Sequence, residues 1–139
     1  MKIVIVDGQG GRLGKQLVKE VLERFPQAEL TAVGTNSMAT EQMLKAGAVR
    51  AATGENAVVV ACRKADVIVG PVGIVIADAL MGEVTPAMAK AVGQSDAVRI
   101  LLPHDKCNTM VAGVPDTGMT ALIRDAMDKL DLVFTKNQS

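Results

Sequence analysis

The sequence predicts an α/β fold: a doubly wound, mostly parallel five-stranded sheet with helices on both faces. Three observations carry this expectation. Short β-branched apolar runs recur along the chain, at residues 3–6, 30–33 and 67–69 among others. Between them lie segments whose apolar residues fall at three- and four-residue steps, the spacing of a helix buried on one side. The chain has 139 residues, 49% of them apolar, enough for one domain with one core and no metal or disulfide staple. That domain is expected to span residues 1–134, with 135–139 as a frayed tail.

Residues 3–6 read Ile-Val-Ile-Val, a continuous run typical of a strand buried on both faces of a parallel sheet. Glycines follow at once. Leu13, Leu17, Val18, Val21, Leu22 and Phe25 then mark one face of a helix, opposed by Lys15, Lys19, Glu20, Glu23 and Arg24 and ended by Pro26. Residues 30–33 make a second strand. Gly34-Thr35-Asn36-Ser37 supplies a turn and an N-cap for a helix that stops at Gly47. Residues 49–52 read as a short third strand. Residues 57–64 include three consecutive valines, which favour strand by propensity, but a crossover between parallel strands requires a helix, and a helix is expected. Residues 67–69 form a further strand, Thr85-Pro86 marks a helix start as N-cap and first helical residue, and residues 98–102 form the fifth strand. Met119, Leu122, Ile123, Ala126, Met127 and Leu130 give the last helix, with Asp116 or Thr117 as its cap.

Composition excludes several classes. Fifteen basic residues balance fifteen acidic ones, so there is no overall basic field for nucleic acid. Phe25 and Phe134 are the only aromatic residues, too few for a base-stacking platform. The longest apolar stretch, residues 67–77, is interrupted by Gly70, Pro71 and Gly73 and is too short for a membrane span of about 20 residues. The apolar run at residues 3–6 is too short for a secretory leader, and Cys62 and Cys107 form no disulfide framework, so a cytoplasmic protein with reduced thiols is expected.

Chemistry is expected where the first strand meets the first helix. Gly8-Gln9-Gly10-Gly11-Arg12-Leu13-Gly14 occupies that junction. Glycines there allow unusual backbone angles and close approach of a phosphate, while the helix N-terminus offers free N–H groups and partial positive charge. The spacing is a variant of the dinucleotide fingerprint of a Rossmann-like sheet. Another nucleotide, a simple phosphate or a purely structural turn are the alternatives. The triphosphatase loop is excluded, because Gln9 stands where its first glycine belongs and Gln16 replaces the magnesium-binding hydroxyl.

About 20 residues beyond Gly14, where NAD-binding chains carry an acid for the ribose, stand Thr35, Asn36 and Ser37. With no acid there to repel a 2′-phosphate, and with Arg12 to attract one, the expected cofactor is NADP or NAD, with NADP preferred. The other reading of these three residues is a turn and a helix cap.

Residues 6–14, together with Ala65-Asp66-Val67-Ile68-Val69-Gly70-Pro71-Val72-Gly73 and Leu102-Pro103-His104, resemble a family of short bacterial proteins of unknown function. Its members are described only as NAD(P)-binding Rossmann-type proteins. The resemblance covers nearly the whole chain and implies this fold, but it brings no substrate and no catalytic residue.

Two long connections, residues 71–84 and 103–115, leave the carboxyl ends of the fourth and fifth strands, where open sheets of this kind bind ligands. In the first, Gly70, Pro71 and Gly73 are expected to border the groove, and Asp78 and Glu83 are candidate general bases. In the second, His104 is the only histidine and the candidate for proton transfer, and Cys107 is a candidate nucleophile or redox thiol. No zinc-ligand spacing is present. Met81 and Met110, with Ile74, Val75, Ile76 and Leu80, are expected to form an apolar patch that closes a homodimer. The function expected is a small nucleotide-binding protein, either an oxidoreductase working at the dimer interface or a non-catalytic nucleotide-sensing or coenzyme-binding module.

Overall fold

A computed structural model describes residues 1–104 and 108–138. Eleven elements follow one another: β1 (Lys2–Asp7), α1 (Arg12–Arg24), β2 (Glu29–Gly34), α2 (Ser37–Lys45), β3 (Arg50–Thr53), α3 (Glu55–Lys64), β4 (Val67–Pro71), a single 3-10 turn (Val72–Val75), α4 (Pro86–Gln94), β5 (Val98–Leu102) and α5 (Met119–Gln138). All strand pairs are parallel, in the order β3-β2-β1-β4-β5. The doubly wound five-stranded sheet expected from the sequence is the sheet found.

The alternation within β1 explains the two layers of helices. Ile3 and Ile5 face a core shared with α1, α2 and α5, where Leu17, Val18, Met43, Met127 and Leu130 are fully buried. Val4 and Val6 face the opposite side, against Val58 and Cys62 of α3 and Met88 and Val92 of α4. Side chains two apart share a face, so four consecutive β-branched residues feed both cores. The two aromatic residues of the chain find each other where α1 meets α5, with Phe25 and Phe134 stacked at 4.7 Å between ring centres. Arg24 reaches across the same seam to Asp128 at 3.0 Å.

Local choices follow the expected physics. Asn36 caps α2 by accepting the Ala39 N–H at 2.9 Å, and Thr85 caps α4 by accepting the Met88 N–H, with Pro86 in the first helical position. Residues 57–64 are helical within α3 despite the valines, because Val58 and Cys62, four apart, bury one face under the sheet. Helix α5 differs from expectation at both ends. It begins at Met119, beyond Asp116 and Thr117, and residues 135–138, expected to fray, continue it.

The winding reverses between β1 and β4, and this switch point is where sheets of this type open a crevice at the carboxyl edge. Three turns surround it: residues 8–11 after β1, residues 35–36 after β2, and residues 76–84 between the 3-10 turn and α4.

Candidate functional site

The glycine turn lies where the sequence places it, and packing inside the chain accounts for much of its glycine content. A side chain at Gly8 would meet Thr35 Oγ1 at 2.4 Å, Leu80 Cδ1 at 2.8 Å and Glu83 Oε1 at 2.9 Å. Gly11 has φ 73° and would drive a Cβ to 2.7 Å from the Ala39 main chain. Gly11 admits only glycine, whereas at Gly8 the Thr35, Leu80 and Glu83 side chains would have to shift, and in both cases the atoms concerned belong to the protein itself. Gly10, by contrast, is exposed, and a Cβ added there would meet nothing within 4 Å.

Helix α1 opens with Arg12 and Leu13, whose N–H groups have no carbonyl partner within the helix by the geometry of a first turn. The next amide, Gly14 N–H, donates at 2.7 Å to Oδ2 of Asp7, a buried carboxylate at the end of β1. A side-chain acceptor from β1 thus already satisfies one amide of the first turn of α1.

A second carboxylate dominates the turn. Glu83 Oε1 accepts from the Gln9 main-chain N–H at 2.8 Å, from the Thr35 hydroxyl at 2.7 Å and from the Asn36 side-chain amide at 2.8 Å. Asn36 Nδ2 also donates to Gln9 O at 2.9 Å. Gln9 is thereby held on both sides of its peptide, which explains how a non-glycine residue stays at φ 48°. Partial burial pushes the Glu83 carboxyl upward, but the Gln9, Thr35 and Asn36 hydrogen bonds outweigh it and hold the group below its ordinary 4.5. Glu83 is therefore ionised near neutral pH, with Oε1 taken up by these three donors.

This arrangement corrects the cofactor expectation. Thr35 and Asn36 are expected to receive a ribose 2′-phosphate, yet in the free chain both donate to Glu83. Arg12, the other expected partner of that phosphate, lines a groove of about 660 Å³ along α1 with Lys15, Lys19 and Lys45. Ser37 is exposed as the first residue of α2. The acid missing from the end of β2 in the sequence is supplied in space by Glu83, 48 residues beyond Thr35. The preference for NADP is accordingly withdrawn, and neither NADP nor NAD is carried forward as the cofactor.

The other candidates scatter. Gly70, Pro71 and Gly73 are buried rather than facing an open groove, and Gly70 packs on Val6, whose carbonyl oxygen would lie 2.3 Å from an added Cβ. His104 is half-buried at the end of β5, its N–H donating to Leu102 O at 2.8 Å. Strand β4 separates β5 from β1, so His104 stands about 10 Å of sheet width from the glycine turn. Cys107 lies outside the described residues. The expected apolar patch does not form, because Ile74 and Leu80 are core residues, and Met81 and Met110 are left exposed without them. Among the described residues no helix is long and apolar enough to cross a membrane.

Reading the sequence missed the role of Glu83. The available signal was indirect: Thr35 and Asn36 offered donors at a strand end with no local acid to accept them.

The chain belongs to the family described as a domain of unknown function, DUF3842, which matches residues 2–135. The resemblance seen in the sequence is thus a family of unknown function, and nicotinamide binding is not shown for it. Among curated proteins, none matches this chain. A solved structure with a similar fold is the dodecameric FMN-dependent Ubix-like decarboxylase from Escherichia coli O157:H7. It is 17% identical, with a TM-score of 0.49 over 96% of this chain and 76% of that one. That protein is named for FMN, not for a nicotinamide dinucleotide.

Proposed function

We propose that this chain is a ligand-binding module that takes a nucleotide or a phosphorylated coenzyme at the carboxyl edge of β1 and β2, and that it serves sensing rather than hydride transfer. The observation that carries this reading is the convergence of the Gln9 N–H, the Thr35 hydroxyl and the Asn36 amide on one negatively charged oxygen. Donors aimed at one point from two strand ends favour an anionic group there. The exposed Gly10 and the first-turn amides of Arg12 and Leu13 add room and polarity beside it. The oxidoreductase alternative rests on residue type alone, at His104 and Cys107.

Titration of the isotope-labelled protein with adenosine monophosphate, FMN and coenzyme A, followed by amide NMR, tests the reading. Shifts concentrated in residues 8–14 and 35–37 for one of them are expected. Shifts confined to other surfaces, or none at millimolar ligand, overturn it.

A further inference from the structure

We propose that the Gln9, Thr35 and Asn36 donors form an anion cradle for a phosphate monoester, and that Glu83 fills this cradle in the free chain as a built-in competitor which the incoming phosphate displaces. The inference rests on the ligand-binding reading above and specifies how that site is filled and regulated.

The donors and the acceptor differ in how they are held. Thr35 directly follows the buried end of β2 and Gln9 lies two residues beyond the end of β1, where Asp7 pairs with Gly34, and the Thr35 N–H donates to Asp7 O at 2.9 Å. Asn36 is fixed again as the cap of α2. The cradle therefore belongs to the rigid frame of the sheet. Glu83 arrives from outside that frame, on a connecting loop, 47 residues from Asn36 and 74 from Gln9.

The loop itself is strained. Asp78, Leu80 and Met81 have φ values of 67°, 56° and 56°, and Gly82 follows at 88°. Three non-glycine residues in the left-handed region within four positions are held only by surrounding contacts. Those contacts include Leu80, buried above Gly8, the Asp78 N–H on Val84 O at 2.7 Å, the Gly82 N–H on Asp78 O at 3.0 Å, the Val84 N–H on Ala79 O at 3.1 Å, the Glu83 N–H on Leu80 O at 3.2 Å, and the Glu83 carboxylate in the cradle. Met81 stands at the tip, almost wholly exposed.

Chemistry selects the competitor. Oε1 alone takes all three donors, and among the described residues Oε2 receives no hydrogen bond. A phosphate brings three acceptor oxygens and up to two charges, so it can satisfy the same donors and also reach the first-turn amides of α1. Ligand affinity is then reduced by the fraction of molecules in which the cradle is occupied by Glu83.

The test is a titration with inorganic phosphate, followed by amide NMR, on the wild type and on Glu83→Ala, Glu83→Gln and Asp78→Asn. Removal of the competitor should tighten phosphate binding at least tenfold in Glu83→Ala, with shifts at the Gln9 amide and the Asn36 side-chain amide. Glu83→Gln, which keeps a neutral acceptor, should gain several-fold. Asp78→Asn removes a charge from the same loop without touching the cradle and should stay within twofold of wild type. Equal affinity in wild type and the Glu83 variants overturns the proposal, as does a gain in Asp78→Asn as large as theirs. If Glu83→Ala does not fold, Glu83→Gln decides by the same criterion. Nucleotide shifts at residues 8–14 that are indifferent to Glu83 overturn displacement and leave the ligand-binding reading standing. The absence of shifts at either turn in every variant overturns both.

Discussion

Glu83 accepts the main-chain N–H of Gln9 at 2.8 Å across 74 residues of sequence, and the loop after β4 is thereby fastened to the turn after β1. This bond, with those from Thr35 and Asn36, closes the switch point of the sheet from within.

Loss of the acceptor leaves three partly buried donors without it. Glu83→Ala should destabilise the fold by about 2 kcal/mol, and Glu83→Gln by about 1 kcal/mol, since a neutral acceptor retains part of the bonding. Urea unfolding of the three proteins at neutral pH measures both. Equal stability of wild type and Glu83→Ala would show that the contacts contribute nothing net.

The same carboxylate sets a pH dependence. Its folded pKa lies below its ordinary 4.5, so the unfolded chain takes up the proton first as pH falls. The contribution is complete above 4.5 and is lost as pH drops through the lower folded value. The stability gap between wild type and Glu83→Gln should be constant from neutral pH to about pH 5 and shrink below 4.5. A gap that widens in acid would contradict the sign.

Asn36 separates two roles in one side chain. Asn36→Asp keeps the cap on Ala39 N–H and places a favourable charge at the start of α2, but it removes the donors to Gln9 O and Glu83 and sets two carboxylates together. The variant should lose about 1–2 kcal/mol at neutral pH and recover most of it in acid as the pair shares a proton. Thermal melts at neutral pH and near pH 4 report the difference. A variant as stable as wild type at both would mean that only the cap matters.

Much of the fold is legible in the sequence because its determinants are local. The alternation of Ile3, Val4, Ile5 and Val6 feeds two cores, and Thr85-Pro86 starts α4 by chemistry confined to a few residues. Residues 57–64 are legible as a helix only through the crossover rule, a constraint of topology, since the valines pull toward strand. The site is legible at Gly8 and Gly11 as positions where glycine eases packing or backbone geometry, but not in what packs there. Thr35 and Leu80 press on Gly8 from distant segments, and no spacing rule links position 83 to positions 9, 35 and 36. The acid that stands beside the end of β2 in space is far from it in sequence.

The neighbouring glycines should answer differently to the same substitution. In Gly11→Ala the added carbon meets the Ala39 main chain at 2.7 Å and the backbone is left-handed, so neither a rotamer change nor a small shift relieves it. A loss of about 3 kcal/mol or more is expected, because clash and backbone strain act together. In Gly10→Ala the carbon points into open space, and the change should stay within about 0.5 kcal/mol, as for other surface substitutions. Chemical unfolding gives both values. The pair also divides structure from binding: if a ligand's phosphate approaches the turn over Gly10, Gly10→Ala weakens the nucleotide while leaving the unfolding midpoint in place. A nucleotide affinity that survives Gly10→Ala unchanged would mean that the ligand's phosphate does not approach over Gly10.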